Sequence, residues 1–365
     1  MRTDEFDYEL PKQLIAQVPK KERSGSRLLV LNRCDGTIEH SFFRDIHRYL
    51  RQGDVLVLND TRVIPARLKA RKQTGGLVHI LLVERIDACT WSCLVEGIKK
   101  TADKVDVQIG SALAQVSCRD DFWQIHFVGV TADEVIGRYG TAPLPHYIKR
   151  GEEGAEALDA ERYQTVYAES LGSIAAPTAG LHFTPELLNV ISAMGVTIAK
   201  VTLHIGVGTF FLVKKEHIEE HSMHREYFSV KREIAELIRD GRRRGGRVFA
   251  VGTSAVRTLE TLEQNCNGTA GMHDVAGNGD CNRSNNGHES GSDNGKLQGY
   301  TDLFIYPDYC FAAVDALITN FHVPRSTPLL LVSAFAGKEN ILKAYREALA
   351  LSYRFYSYGD AMLIL

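Results

Sequence analysis

What the chain lacks narrows its class first. No apolar run approaches the ~20 residues that span a bilayer as a helix, so no membrane-spanning helix is expected. The opening Met1-Arg2-Thr3-Asp4-Glu5-Phe6-Asp7 puts acids where a secretory signal carries an apolar core, and a cytoplasmic setting is expected. Seven cysteines include no C-x-x-C pair, which leaves neither a disulfide framework nor a thiolate zinc site. No G-x-G-x-x-G follows a strand and no G-x-S-x-G occurs, so a Rossmann dinucleotide site and a hydrolase elbow are both missing. The formal charge of only −2 neither demands nor excludes a nucleic-acid partner.

What is present is a soluble globular composition. At 365 residues, 44% hydrophobic and 24% charged, the chain can bury a large core and fill two domains. Leu28 to Leu31 and, within Asp54 to Leu58, Val55 to Leu58 are short apolar runs bounded by turn residues, as in strands covered on both faces. Phe43, Ile46, His47 and Leu50 between them predict a crossover helix over residues 42–51 and hence a βαβ unit. From about Ala66 to Val130 the period changes. Five short alternating segments, 77–83, 91–95, 105–109, 113–116 and 122–128, predict a small antiparallel β-barrel inserted into an α/β core. The expected division is a core of residues 1–65 and 151–365 around a barrel of 66–150. Residues 265–295, rich in Gly and Asn and without an aromatic, read as a disordered surface insertion.

The stretch Ala175 to Pro185 surrounds His182 with small side chains. Its bare backbone, with Gly180, invites close approach by a ligand, and Thr184-Pro185 predicts the cap and first turn of a helix. The strand over residues 196–203 delivers a second histidine, His204, into a loop with Gly206 and Gly208. Gly252-Thr253-Ser254 turns the strand 248–251 into a helix whose free amides suit an anion, with Arg257 close behind. Asn59-Asp60-Thr61-Arg62 and Thr319-Asn320-Phe321-His322 also follow strands. In an open α/β sheet such loops share one ligand-binding edge if their strands are parallel.

His217, His221, His224 and Glu226 have a spacing that brings metal ligation into question, but without H-E-x-x-H the preferred reading is polar surface or substrate contact. Arg242-Arg243-Arg244 and Lys149-Arg150 are basic clusters. Each is either a solvated feature or an RNA contact, and cations at a helix C-terminus complement the dipole in any case.

Taken together and in order, eight segments resemble the S-adenosylmethionine:tRNA ribosyltransferase-isomerase family of queuosine biosynthesis. They are residues 6–11, 59–67, 175–184, 204–211, 221–226, 252–260, 319–327 and 356–362. Two positions depart from the family pattern, His146 in Pro143-Leu144-Pro145-His146-Tyr147 and Asp308 after Pro307, and both bear on loop geometry. The resemblance implies an α/β core with an inserted β-barrel and no metal or resident cofactor, S-adenosylmethionine being consumed as co-substrate. It further implies transfer and isomerisation of its ribosyl moiety onto 7-aminomethyl-7-deazaguanine in the tRNA anticodon stem-loop, giving epoxyqueuosine, adenine and methionine.

On those motifs the acid/base candidates are His182 and His204, unranked, ahead of His322. Substrate contacts are expected from Asp60, Arg62, Thr178, Gly180, Gly206, Thr209, Glu226, Gly252, Thr253, Arg257, Asn320 and Asp360. Arg257 with the Gly252-Thr253 turn is expected to hold the methionine carboxylate, and Asp60 or Asp360 the ammonium or sulfonium. Lys149, Arg150, Arg242, Arg243 and Arg244 are the RNA candidates. The rivals are a noncatalytic RNA-binding protein and an S-adenosylmethionine methyltransferase.

Overall fold

Apolar runs without alternation become the middle of a large sheet. The computed structural model describes residues 1–99, 104–119, 122–150, 156–210, 212–269 and 295–365. β1 (Arg27–Leu31), β2 (Ile38–Phe42), β3 (Val55–Asn59) and β4 (Thr61–Val63) come first. Then follow β5 (Arg67–Lys72), β6 (Leu77–Arg85), β7 (Thr90–Glu96), β8 (Lys104–Ile109), β9 (Ala112–Arg119) and β10 (Phe122–Val128). After α1 (Ala132–Tyr139), α2 (Glu156–Arg162) and β11 (Ser170–Ser173), the chain forms α3 (Pro185–Ala193), β12 (Thr197–Leu203), β13 (Glu226–Lys231), α4 (Arg232–Arg243) and β14 (Val248–Val251). It ends with α5 (Thr253–Thr269), β15 (Lys296–Thr301), β16 (Ala316–Asn320), α6 (Thr327–Ala336), α7 (Lys338–Ala350) and β17 (Ala361–Ile364).

Two compact units result. One comprises Met1–Thr61, Thr165–Ser170 and Pro177–Leu365; the other comprises Arg62–Gln164 and Leu171–Ala176. The division therefore falls a few residues before 65/66, and the return lies well beyond 150/151. Side chains explain the later return: Gln164 donates to the Val63 carbonyl at 2.8 Å and accepts from its N–H at 3.1 Å, while Arg150 grips Asp159 of α2.

The larger unit holds a nine-stranded sheet in the order β15-β13-β12-β3-β14-β16-β17-β1-β2. β12, β3, β14 and β16 are mutually parallel, whereas β17 opposes β16, and β13 opposes β12. One face of the sheet, including Leu56, Leu58, Phe249, Val251 and Ile318, is sealed by Phe43, Ile46, Phe183, Leu187 and Ile191. α4 and α5 pack against β12, β3 and β14.

The βαβ expectation for residues 28–58 is corrected. β1 turns back into the antiparallel β2, and because β1 runs with β17 it opposes β3. The overlooked signal is Asp35-Gly36, a hairpin dipeptide whose glycine has φ 69°. Residues Phe43–Tyr49 form a 3₁₀ helix, not an α-helix. The apolar stripe survives the change, because a 3₁₀ turn stacks i and i+3, and Phe43 and Ile46 are both buried.

In the smaller unit, six antiparallel strands close a barrel in the order β10-β7-β6-β5-β8-β9. Alternation directs Val78, Ile80 and Leu82 of β6 and Trp123, Ile125 and Phe127 of β10 inward. The sixth strand, β5, went unread in the sequence because only Leu68 and Ala70 face inward between basic residues. α1 also went unread; its Thr131 and Glu134 form a reciprocal capping box.

The strand expected near residues 302–305 is β15, upstream at Lys296–Thr301. α5 carries the chain through Thr269, into the segment read as disordered; residues 270–294 lie outside the described residues. Among the described residues no helix is long and apolar enough to cross a membrane.

Candidate active site

Four parallel strands point their carboxyl ends the same way, so the loops they feed converge on one edge of the larger unit. β12 delivers His204, β3 ends at Asn59 and leads into Asp60, β14 leads into Gly252, and β16 ends at Asn320. β13 and β17, running the other way, begin at that edge with Glu226 and Ala361. Asn59 joins the strand ends. Its amide donates to the Leu203 carbonyl and to Ser254 Oγ, both at 3.0 Å, and its Oδ1 accepts from the N–H groups of Leu203 and Thr61 at 3.0 and 3.1 Å. All four bonds are made by a fully buried side chain, which holds β12, β3 and α5 in fixed relation.

His204 is the open imidazole of this edge. Nδ1 lies 2.8 Å from Thr61 Oγ1, and the ring stacks on Tyr227 with centroids 5.6 Å apart. In the tautomer whose Nδ1–H donates to Thr61, Nε2 keeps its lone pair. Partial burial lowers its pKa below the usual 6.5, and the Asp60 carboxylate opposes that shift. Asp60 itself is buried, with one oxygen accepting from Thr202 Oγ1 at 2.6 Å.

His182 stands in a sealed environment. Thr178 Oγ1 donates to Asn320 Oδ1 at 2.9 Å, which orients the Asn320 amide to donate to His182 Nε2 at 3.1 Å. Nδ1 then carries the proton and donates to Ser26 Oγ at 3.1 Å. The ring packs on Phe43 at 4.9 Å, and burial pushes its pKa down to about 4. His322 is tied through Nε2 to Thr319 Oγ1 at 2.7 Å, and burial pushes it down to about 3.

The small residues near His182 serve packing. A Cβ on Gly180 would stand 2.0 Å from Tyr167 Oη and 2.9 Å from Thr165 Cγ2, so close approach to this glycine is made by the protein's own tyrosine, not by an open ligand face. The hydroxyls of Tyr167 and Thr165 are buried without a hydrogen-bond partner. Gly252 has φ 85°, the left-handed conformation its turn requires, and Thr253 opens α5.

Arg257 finds its anion inside the protein. It pairs with the buried Glu226, and donates to the carbonyls of Leu303 at 3.0 Å and Thr301 at 3.3 Å; Glu226 also accepts from the Gly206 N–H at 2.7 Å. The anion beside Arg257 in this structure is thus the Glu226 carboxylate. Asp360, wholly buried, accepts from the N–H groups of Arg27 at 3.0 Å and Arg354 at 2.8 Å and pairs with the Arg27 guanidinium, so it too is engaged. Thr209 lies in the 3₁₀ turn Val207–Phe210 of this unit, whereas Arg62 is exposed in the barrel unit.

Residues 217–224 do not share one helix: only Ile218–Glu220 is helical, and Glu226 starts β13. Among the described residues no cluster of three His, Cys, Asp or Glu could hold a metal ion. The basic clusters are also paired. Arg242 approaches Asp315 at 3.4 Å, Arg243 and Arg244 share Asp240, and Arg150 binds Asp159 at 2.6 Å. Thr61 was legible only as part of the Asn59–Arg62 loop, without a role of its own; Ser26 and Tyr167 went unread and reach the edge only through folding.

A model of the family described as queuosine biosynthesis protein matches residues 3–364. The S-adenosylmethionine:tRNA ribosyltransferase-isomerase of Thermotoga petrophila is 47% identical over 367 residues, and that of Staphylococcus haemolyticus 45% over 374, each alignment covering 100% of both chains. The crystal structure of the S-adenosylmethionine tRNA ribosyltransferase of Thermotoga maritima is similar at 38% identity with a TM-score of 0.53, over 99% of this chain and 100% of that one.

Proposed function

The chain belongs to the S-adenosylmethionine:tRNA ribosyltransferase-isomerases of queuosine biosynthesis, and from that premise we propose that His204 is the general base of a reaction that consumes S-adenosylmethionine. In this reading the ribosyl moiety is transferred and isomerised onto 7-aminomethyl-7-deazaguanine at the wobble position of a cytoplasmic tRNA. Epoxyqueuosine forms, and adenine and methionine leave.

The chemistry needs a base because the sulfonium acidifies the adjacent ribose methylene, and removal of that proton opens the way for adenine to depart. One observation carries the assignment: His204 stands at the convergence of the parallel strand ends with Nδ1 held by Thr61 and Nε2 uncommitted. A neutral imidazole is the form that accepts a proton, and burial keeps His204 in that form at neutral pH. Asp60 stands close enough to favour the imidazolium once it forms. With Arg257 tied to Glu226, the methionine carboxylate falls to the first-turn amides of α5 at Thr253, where the helix dipole favours an anion.

The test is incubation with S-adenosylmethionine and precursor-bearing tRNA, followed by mass spectrometry of the small products. Adenine plus methionine is the expected outcome. S-adenosylhomocysteine would instead identify a methyltransferase, and tRNA binding with no small product a noncatalytic RNA-binding protein.

A further inference from the structure

Three rings form one row across the end of the sheet. The register sets Tyr227 of β13 opposite Tyr300 of β15. His204 follows Leu203, which pairs with Phe228, and its backbone N–H donates to the Tyr227 carbonyl at 2.9 Å. The three side chains therefore share one face. His204 stacks on Tyr227 with centroids 5.6 Å apart, Tyr227 meets Tyr300 edge-on at 5.7 Å, and the Arg225 guanidinium rests 5.1 Å from the centre of the Tyr300 ring.

The two faces of these strands differ in cover. Glu226, Phe228, Val230 and Thr301 are buried, and α5 closes that side through the Arg257–Glu226 pair and a 2.7 Å bond between the Thr261 and Thr301 hydroxyls. On the ring-bearing face exposure rises outward, from half-buried Tyr227 to Tyr300, which is 44% exposed, and to the exposed Arg225. Tyr227 Oη donates to Gln298 Oε1 at 2.9 Å, which fixes the orientation of the inner ring.

A cross-strand tyrosine pair stabilises any sheet, and that accounts for the contact of Tyr227 with Tyr300. It does not require the row to begin at His204 or to end in an exposed ring carrying a cation on the edge strand. The sheet order β15-β13-β12-β3-β14 places His204 between the tyrosines on one side and the Gly252-Thr253 turn on the other. That turn follows β14, two strands or ~10 Å from β12, and is the position proposed for the methionine carboxylate. The tyrosine side of His204 is left for the second substrate.

We infer that the Tyr227–Tyr300 row, edged by Arg225, is the platform on which an unpaired base of the tRNA anticodon loop stacks. The inference rests on the proposed tRNA reaction and adds the base-binding surface to it. Every base has a π-face, so exposed aromatic rings hold unpaired nucleotides without reading their sequence. Arg225 supplies positive charge beside the ring for the phosphate attached to a stacked base.

The experiment follows single-turnover adenine release by the full chain. Precursor-bearing tRNA is varied at saturating S-adenosylmethionine, and then S-adenosylmethionine at saturating tRNA. Tyr300→Ala is expected to raise the half-saturating tRNA concentration roughly 5- to 100-fold, with the limiting rate and the S-adenosylmethionine requirement near wild type. Tyr300→Phe keeps the ring and should behave as wild type. Arg225→Gln should make the slope of log tRNA affinity against log salt shallower by about 1. Thermal unfolding checks that each variant is folded. Should Tyr300→Ala fail to fold, Tyr300→Leu, which keeps an apolar strand residue without a π-face, is read by the same criteria.

A wild-type tRNA requirement in the folded ring-less variant, or a wild-type slope in Arg225→Gln, overturns the inference and leaves the reaction standing. A rise confined to the S-adenosylmethionine requirement means that the ring serves the co-substrate's adenine, and the inference fails. Equal losses in Tyr300→Phe and Tyr300→Ala trace the effect to the hydroxyl and overturn stacking. A wild type that releases no adenine in the presence of tRNA removes the reaction itself.

Discussion

Two histidines stand at one sheet edge, and the difference between them separates support from chemistry. His182 has both ring nitrogens engaged, by Ser26 and Asn320, and is buried against Phe43. His204 has one nitrogen held by Thr61 and the other open. A proton acceptor needs an available lone pair: the Asn320 amide takes that of His182 Nε2, whereas His204 Nε2 offers one in the tautomer whose Nδ1–H donates to Thr61. Residue type and motif membership are equal for the two; hydrogen-bond occupancy distinguishes them.

The sharpest way to break this contrast is kinetic. His204→Ala is expected to lower single-turnover adenine release by about 10²–10⁴-fold with an unchanged unfolding midpoint, whereas a folded His182→Ala should retain most of its turnover. Equal losses in both variants would return the two histidines to the same standing.

Stability against pH comes next in size. The pKa of His182 is about 4 in the folded state against 6.5 when unfolded, so between those values the unfolded chain binds the extra proton. Stability is full above about pH 6.5 and falls as the pH drops toward 4, by an amount on the order of 3 kcal/mol from this group. His182→Gln should flatten that limb in denaturant titrations at pH 4.5 and 7, although His322, lowered to about 3, contributes with the same sign. A limb unchanged by the substitution would mean that His182 is not held neutral.

A smaller effect tests whether the bare stretch packs or binds. Gly180→Ala places a Cβ against Tyr167 Oη and Thr165 Cγ2 and should destabilise the fold by about 1–3 kcal/mol. Tolerance without loss, combined with weaker S-adenosylmethionine binding, would restore the ligand-facing reading. Smallest of all, Ser26→Ala removes one bond to His182 and should cost about 1 kcal/mol in urea unfolding, leaving turnover intact.

Much of the edge was legible because strand ends are marked by a change of residue type: an apolar run stops and Asn59-Asp60, His204, Gly252 or Asn320 follows. Direction was not legible, so the parallel condition had to come from the fold. Arg257 was visible as a cation close behind a helix start, but its partner, Glu226, is 31 positions away along the chain. The partners of the α4 arginines were illegible for a related reason: Arg242 meets Asp315, far along the chain, while Arg243 and Arg244 share Asp240 only because a helix brings those positions together.

By itself the sequence determined the family resemblance, the α/β core with its inserted barrel, the capped turn at Thr184-Pro185 and the set of polar residues gathered at strand ends. These are properties of local pattern and composition, which neighbouring residues specify. Only the tertiary structure decided that β1 opposes β3, that Tyr167 occupies the space beside Gly180, and that His204 keeps an open nitrogen where His182 does not. Such outcomes depend on which distant group supplies each hydrogen bond, and that is settled when the strands are brought side by side.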